Sequence, residues 1–369
     1  MSKMTAQQLK QLQSLPLDIK VRKTEQRIRE WYEHWDGDVY VSFSGGKDST
    51  VLLHIVRKLY PDVPAVFSDT GLEYPEIKEF VKTFDNVRIV RPKYSFREIL
   101  RRYGYPVISK EVAGTISSVR RFIYNKLVHD NIRVDNEIDR LTEYAENVVP
   151  FETKVPLKDS PLSLRVASIL GIVDKDNNLT WSIPPNCYNS FHKRKWKWLL
   201  DADFKISDNC CYHMKEAPLH TYTLYSGRVP YIGTLAEESQ LRRTAWIKNG
   251  CNAYDKKPVS APLSFWTEQD ILQYIVDNNL KIASVYGEII KEDGKYKTTG
   301  RSRTGCIFCM FGINFNENRD KFISLRQTHP KLYDYCMNGG KYNDQGWWQP
   351  SQDGLGMKHV LDFIDIKVK

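Results

Sequence analysis

The sequence has no run of 18 or more apolar residues, so nothing in it reads as a membrane-spanning helix. Its opening, MSKMTAQQLKQLQ, has no apolar core of the kind a secretion signal carries, and the expectation is a cytoplasmic protein without a membrane partner. Internal repeats and low-complexity tracts are absent, which excludes solenoids and fibrous arrays. Cysteine is sparse and odd in number, seven in 369 residues, which excludes a disulfide-stapled scaffold. In a reducing compartment such thiols serve metals or chemistry more often than bridges. What is present suits a folded chain of two or three compact units: 41% apolar, 27% charged and 12% aromatic residues. Lys and Arg number 54 against 45 Asp and Glu, a net +9, which favours a polyanionic partner, either a nucleic acid or a phosphorylated metabolite.

Residues 1–36 read as a polar helical segment closed by the aromatic cluster Trp31, Tyr32 and Trp35. From Val39 the pattern becomes strand, glycine turn and helix, and strands at 63–68 and 86–90 follow at intervals filled by helical spacing. Strands alternating with helices predict an α/β fold, a doubly wound and mainly parallel sheet covered on both faces. Residues 149–186 read as an insertion or linker, 220–225 and 229–233 as returning strands, 236–248 and 267–278 as helices. The expected division is 1–36, 37–285 as the nucleotide-binding α/β domain, and 286–369 as a small irregular unit built around something other than apolar burial.

The string Ser42, Phe43, Ser44, Gly45, Gly46, Lys47, Asp48, Ser49, Thr50 lies where the first strand meets its helix, the ligand crevice of an open α/β sheet. Its glycines let backbone amides approach phosphate oxygens, the helix N-terminus adds partial positive charge, and Lys47 adds a full one. Ser44, Ser49 and Thr50 can add hydroxyl donors. An ordinary turn N-capped by Asp48 or Ser49 is the competing reading.

This is not GxxxxGK[ST]. It resembles the SGGxDS pyrophosphate loop of the adenine-nucleotide α-hydrolase superfamily. Phe67 to Glu76, with Asp69, Thr70 and Gly71, resembles the FxDTGxxFPET segment of the phosphoadenylyl-sulfate reductase family. Gly233 to Arg242, with Glu237, Glu238 and Ser239, is similar to that family's GxRxxES..R segment, and Pro262 to Asp270 to its PLxxWTExD segment. The resemblance runs roughly from 37 to 310. It implies an adenine nucleotide, ATP or a sulfonucleotide, with Mg²⁺ as a candidate companion, held by these segments. It implies that Asp69 approaches the nucleotide and that Arg242 or Arg243 neutralises its phosphates or sulfate, with Lys47 and Asp48 at the reacting group. Leu235 stands where the family usually carries Arg. Taken singly, Asp69 with Glu73, Glu237 with Glu238, and Thr267 with Asp270 also read as helix-terminus residues.

Cys210 and Cys211 are adjacent, and Cys306 and Cys309 form a CxxC after a gap of 94 residues. The set is similar to the cysteines that hold a [4Fe-4S] cluster in the adenylyl-sulfate reductase branch. A structural Zn²⁺ site and a redox-active CxxC are the alternatives. The family's nucleophile lies in a Glu-Cys-Gly-[Leu/Ile]-His tail that this chain lacks, which leaves Cys336 and Cys251 as candidates against an inert structural role. The strip Phe191 to Trp198 interleaves His192, Lys193, Arg194, Lys195 and Lys197 with aromatics, a pattern that can grip tRNA or DNA or can be a solvated helix face. Arg101, Arg102, Arg120 and Arg121 are further candidate phosphate contacts. Two reaction classes follow, sulfonucleotide reduction and ATP-dependent sulfur transfer to a nucleic acid, each needing a sulfur or electron donor protein; a non-catalytic nucleotide or Fe-S sensor and a homo-oligomer stay open.

Overall fold

The structure is a computed structural model that describes residues 4–255 and 257–365. It divides into two compact units that the chain visits alternately: Met1–Lys93 with His213–Ile307, and Tyr94–Tyr212 with Phe308–Lys369. These units cross the linear boundaries expected at 36/37 and 285/286, because strand pairing joins residues far apart in sequence.

The first unit is the doubly wound sheet. Two N-terminal helices, α1 (Ala6–Gln13) and α2 (Leu17–His34), precede strand β1 (Val39–Ser42), helix α3 (Lys47–Leu59), β2 (Ala65–Ser68), α4 (Pro75–Val81) and β3 (Val87–Val90). The six-stranded sheet runs β3, β2, β1, then Val229–Ile232, Val259–Ser260 and Asn252–Ala253. All pairings are parallel except that of the last two. Val39, Tyr40 and Val41 are buried, as expected of a central parallel strand covered on both faces. Trp31 is fully buried and Tyr32 stacks on Tyr60 at 3.6 Å, so the aromatic cluster does pack α2 onto the body. Lys20, 2% exposed, pairs with Asp270 at 2.6 Å and fixes α2 to the helix Glu268–Asp277.

The segment 220–225 is not a strand. Its Thr and Tyr residues favour extended backbone, yet Pro218 starts and Gly227, at φ +72, ends the helix Ala217–Ser226, which packs on β2 and β3. Covering the sheet face outweighs local propensity here.

The second unit is mostly helical, with short paired strands such as Val107–Ile108 with Met310–Phe311. Two expectations are corrected there. Residues 149–186 are not a linker: Val155–Pro156 pairs with Asn178–Leu179, and Val166 to Leu170 are buried in the helix Leu164–Leu170. Nor does the C-terminal segment avoid apolar burial, since Phe322, Leu325, Trp347, Leu355, Met357, Val360 and Leu361 are all buried. Short helices joined by tight turns hid this core from the hydrophobic period.

Candidate functional site

The expected phosphate loop lies at the C-terminal end of β1. Gly45 has φ +70, and a Cβ there would fall 2.8 Å from Ile77 and Val81 of α4, so only glycine fits. Gly46 is the N-cap of α3 and gives no side-chain cap, so neither Asp48 nor Ser49 caps the helix. Ser49 and Thr50 donate their hydroxyls back to the Gly46 carbonyl at 2.9 and 3.0 Å, and Ser49 Oγ also lies 3.1 Å from Ser44 Oγ. These bonds shape the loop and leave the first N–H groups of α3 to other acceptors.

Lys47 is 4% exposed, with its ammonium 3.5 Å from Asp48 Oδ1 and 3.2 Å from Glu268 Oε1. Burial alone would push that ammonium down, but the two carboxylates hold it above the usual lysine range. Burial pushes the Asp48 carboxyl up against the opposing pull of Lys47. A raised Asp48 therefore contributes stability that is full below the ordinary carboxylate range and is lost as pH rises through its folded value. One cation thus stands between two carboxylates, and no hydrogen bond reaches the buried Asp48 Oδ1 among the described residues.

Glu268 is held in turn by the loop after Val229–Ile232. Gly233 abuts Ser49, where a Cβ would come within 3.0 Å of its backbone. The Glu268 N–H donates to Glu237 Oε1 at 2.6 Å, and Glu238 accepts from the Leu235 N–H at 2.9 Å and pairs with Arg242. Ser239 caps the helix Gln240–Asn249 through the Arg242 N–H. Burial lowers the Arg242 guanidinium, with Asp48 opposing. Leu235, where a charge was wanting, is 2% exposed and offers the site no polar group.

A cavity of about 190 Å³ opens beside the loop, lined by Ser42, Ser44, Phe67, Ser68, Glu73 and Tyr74 among others. A larger groove, about 1130 Å³, lies along α3 with His54, Arg57, Phe80 and Ile289. None of residues 42–49 lines it, so the smaller cavity is the better candidate for a nucleotide.

Asp69 does not line that cavity. Burial would raise its carboxyl, but Lys78 at 2.7 Å, the Gly71 N–H and Arg91 hold it below the usual range. Thr70 donates its N–H and hydroxyl to Glu73, which closes a turn at residues 70–73. Tyr286 and Thr304 were missed: Tyr286 Oη accepts from the Lys47 N–H at 3.3 Å and lies 2.6 Å from Thr304 Oγ1. The one available signal was that Thr304 directly precedes Gly305 and Cys306.

The thiols are less promising. Cys336 is fully buried, 3.2 Å from Met357 Sδ, and burial pushes it well up, which removes it as a nucleophile at neutral pH. Burial also pushes up Cys251, which accepts from Ser264 Oγ at 3.5 Å. Cys210 lies in the short helix Asn209–Cys211 with Cys211, and the Cys309 carbonyl accepts from Lys321. Among the described residues no three His, Cys, Asp or Glu side chains gather in a group able to hold a metal ion. The reading of Cys210, Cys211, Cys306 and Cys309 as cluster ligands rests on their resemblance to the cysteine set of the adenylyl-sulfate reductase branch.

In the second unit the strip at 191–198 is only partly a solvated face. Lys193 pairs with Glu111 at 2.8 Å, Lys195 sits over Trp196 at 5.2 Å and Trp198 packs near Phe363. Arg120 is buried and bound to Glu137, which removes it as a phosphate contact. No helix among the described residues is long and apolar enough to cross a membrane.

Residues 38–106 and 172–309, over half the chain, match the family model described as the phosphoadenosine phosphosulfate reductase domain. A phosphoadenosine 5′-phosphosulfate reductase of Photorhabdus laumondii is 35% identical over 79 residues, 21% of this chain and 32% of that protein. That of Serratia proteamaculans is 32% identical over 91 residues, 23% and 37% of the two. An uncharacterized protein of Methanocaldococcus jannaschii is 35% identical over 92 residues, 23% of this chain and 22% of that one. The matches thus span about a fifth to two fifths of these relatives. A solved phosphoadenylyl-sulfate reductase from Candida auris aligns over 76% of this chain and 90% of its own, at 11% identity and a TM-score of 0.32, too slight a likeness to build on.

Proposed function

Because the chain belongs to the phosphoadenosine phosphosulfate reductase domain family, we propose that it binds an adenine nucleotide at Ser44 to Ser49 and uses it for sulfur chemistry. The observation that carries this is the glycine loop at the β1–α3 junction, with an N-cap free of side-chain acceptors and the buried Lys47 at its first turn. Phosphates take the amides and the ammonium; the base enters the cavity lined by Ser42, Phe67 and Ser68. Glu237, Glu238 and Ser239 position Glu268 and Arg242, and Asp69 acts through its turn, not by touching the nucleotide.

Family membership supports sulfonucleotide reduction: a thiolate attacks the sulfur of adenylyl sulfate or its phosphorylated form, the sulfur–oxygen bond to phosphate breaks, and AMP or the bisphosphate leaves. A second thiol then releases sulfite from the S-sulfocysteine and closes a disulfide. The buried Cys336 and the apolar Leu235 favour a second reading, ATP-dependent sulfur transfer. There an acceptor oxygen attacks the α-phosphorus of Mg²⁺-bound ATP, pyrophosphate leaves, and a sulfur nucleophile from a donor displaces AMP. The strip at 191–198, in the second unit, is the candidate surface for a tRNA or DNA acceptor.

The deciding experiment incubates the protein with ATP or with each sulfonucleotide, with and without tRNA, DNA and a thiol reductant, and identifies the product. Sulfite supports reduction, nucleic-acid-dependent pyrophosphate supports transfer, and neither under any condition overturns both. Iron content after anaerobic purification decides the cluster: about four irons per chain would support Cys210, Cys211, Cys306 and Cys309 as its ligands, and none would retire that reading.

A further inference from the structure

Three hydroxyls crowd the phosphate loop. A Cβ at Gly46 would lie 3.2 Å from Ser44 Oγ, 3.3 Å from Tyr286 Oη and 3.6 Å from Thr304 Oγ1. Tyr286 reaches this place from the turn Ser284–Tyr286, 239 residues along the chain from Lys47, and is 2% exposed. Its phenol accepts from the Lys47 N–H, the first of α3. The opening N–H groups of a helix are those a phosphate oxygen takes. The phenol also shares a 2.6 Å hydrogen bond with Thr304, which is followed by Gly305, Cys306 and Ile307. The Ile307 N–H is anchored separately on the Leu72 carbonyl at 2.8 Å, so the short stretch 304–306 spans a hydroxyl contact at the loop and a backbone anchor.

We propose that the Tyr286 hydroxyl is an internal stand-in for a nucleotide phosphate oxygen: it holds the Lys47 N–H in the unliganded protein, yields it when phosphate binds, and transmits that exchange through Thr304 to Cys306. The inference rests on the nucleotide reading of the loop and deepens it. A buried N–H needs an acceptor, and leaving it without one costs free energy. Removing the phenol oxygen therefore destabilises the unliganded loop and leaves the phosphate-bound loop, which supplies its own acceptor, unaffected. The direction is unusual for loss of a contact at a binding site, because the ligand should bind more tightly.

The test is calorimetric titration of wild type and Tyr286→Phe with ATP, adenosine 5′-phosphosulfate and inorganic pyrophosphate. The expected result is a dissociation constant lower by roughly three- to tenfold in Tyr286→Phe, the equivalent of one net hydrogen bond. Equal or weaker binding overturns the proposal, since a tyrosine that merely shapes the site, or binds the nucleotide itself, gives one of those results. Hydrogen exchange reads the transmission without depending on the variant's fold: in wild type the nucleotide should speed amide exchange at Gly305 and Cys306, and in Thr304→Val, at saturating nucleotide, that response should vanish. No nucleotide response at 305–306 in wild type overturns the coupling. If wild type binds none of the three probes, the nucleotide reading itself fails and this inference falls with it; binding without tightening in Tyr286→Phe rejects the inference alone.

Discussion

Each unit buries a cation against carboxylate, and the two settings differ in completeness. In the second unit the Arg120 guanidinium bonds Glu137 at 3.0 Å and the carbonyls of Phe204, Leu200 and Ala202, while Tyr124 donates to the other Glu137 oxygen. One guanidinium nitrogen meets the carboxylate and the others meet backbone carbonyls, so the group is satisfied almost donor by donor. In the first unit Lys47 faces two carboxylates at longer distances, no hydrogen bond reaches Asp48 Oδ1 among the described residues, and the helix behind it lacks a side-chain cap. Both cations are buried, so burial does not separate them. A satisfied network holds a fold, and the less complete one beside a glycine loop is the setting of the proposed nucleotide site.

The contrast breaks most visibly at Arg120. Arg120→Met strands the Glu137 carboxylate and should cost about 3–5 kcal/mol of stability in denaturant titration; a loss under 1 kcal/mol would make the two networks equivalent. Lys47→Ala should weaken nucleotide binding by roughly ten- to hundredfold, the worth of a hydrogen bond to a charged group, and should lower stability less than Arg120→Met does, because the stranded Asp48 and Glu268 side chains keep 22% and 35% of their surface in solvent. A smaller effect belongs to Thr267, whose hydroxyl accepts from the Asp270 N–H and caps the helix that presents Glu268. Thr267→Ala should cost about 1 kcal/mol of stability, with nucleotide affinity falling alongside. Asp69→Asn should be the mildest, less than about 1 kcal/mol in stability and near-wild-type affinity, because its partners Lys78 and Arg91 are surface cations. Loss of binding in Asp69→Asn would return that carboxylate to the nucleotide.

Much of the first unit is legible in the sequence. The strand at Val39, the glycine loop, the helix after it and the Thr267 cap are local patterns whose periods and spacings carry their own physics. What escaped depends on distance along the chain. Tyr286 meets Lys47 across 239 residues, and no local pattern marks a tyrosine as the acceptor for a helix N–H. Glu268 read as one residue of a matching segment, and only the fold shows it sharing Lys47 with Asp48. The second unit was read poorly because its strands are two residues long and its core is gathered from short helices, so neither period had room to show. Cys336 looked like a spare thiol for the same reason, its burial being invisible in the flanking residues.

The central claim is that the nucleotide lies at the end of β1. Photolabelling with an azidoadenosine nucleotide, followed by peptide mapping, tests it most directly. The label should fall on peptides containing 42–44, 67–74 and 215–219, which line the cavity beside the loop, and should be lost in Lys47→Ala. Labelling confined to the larger groove around His54, Phe80 and Ile289, unchanged by Lys47→Ala, would contradict the account.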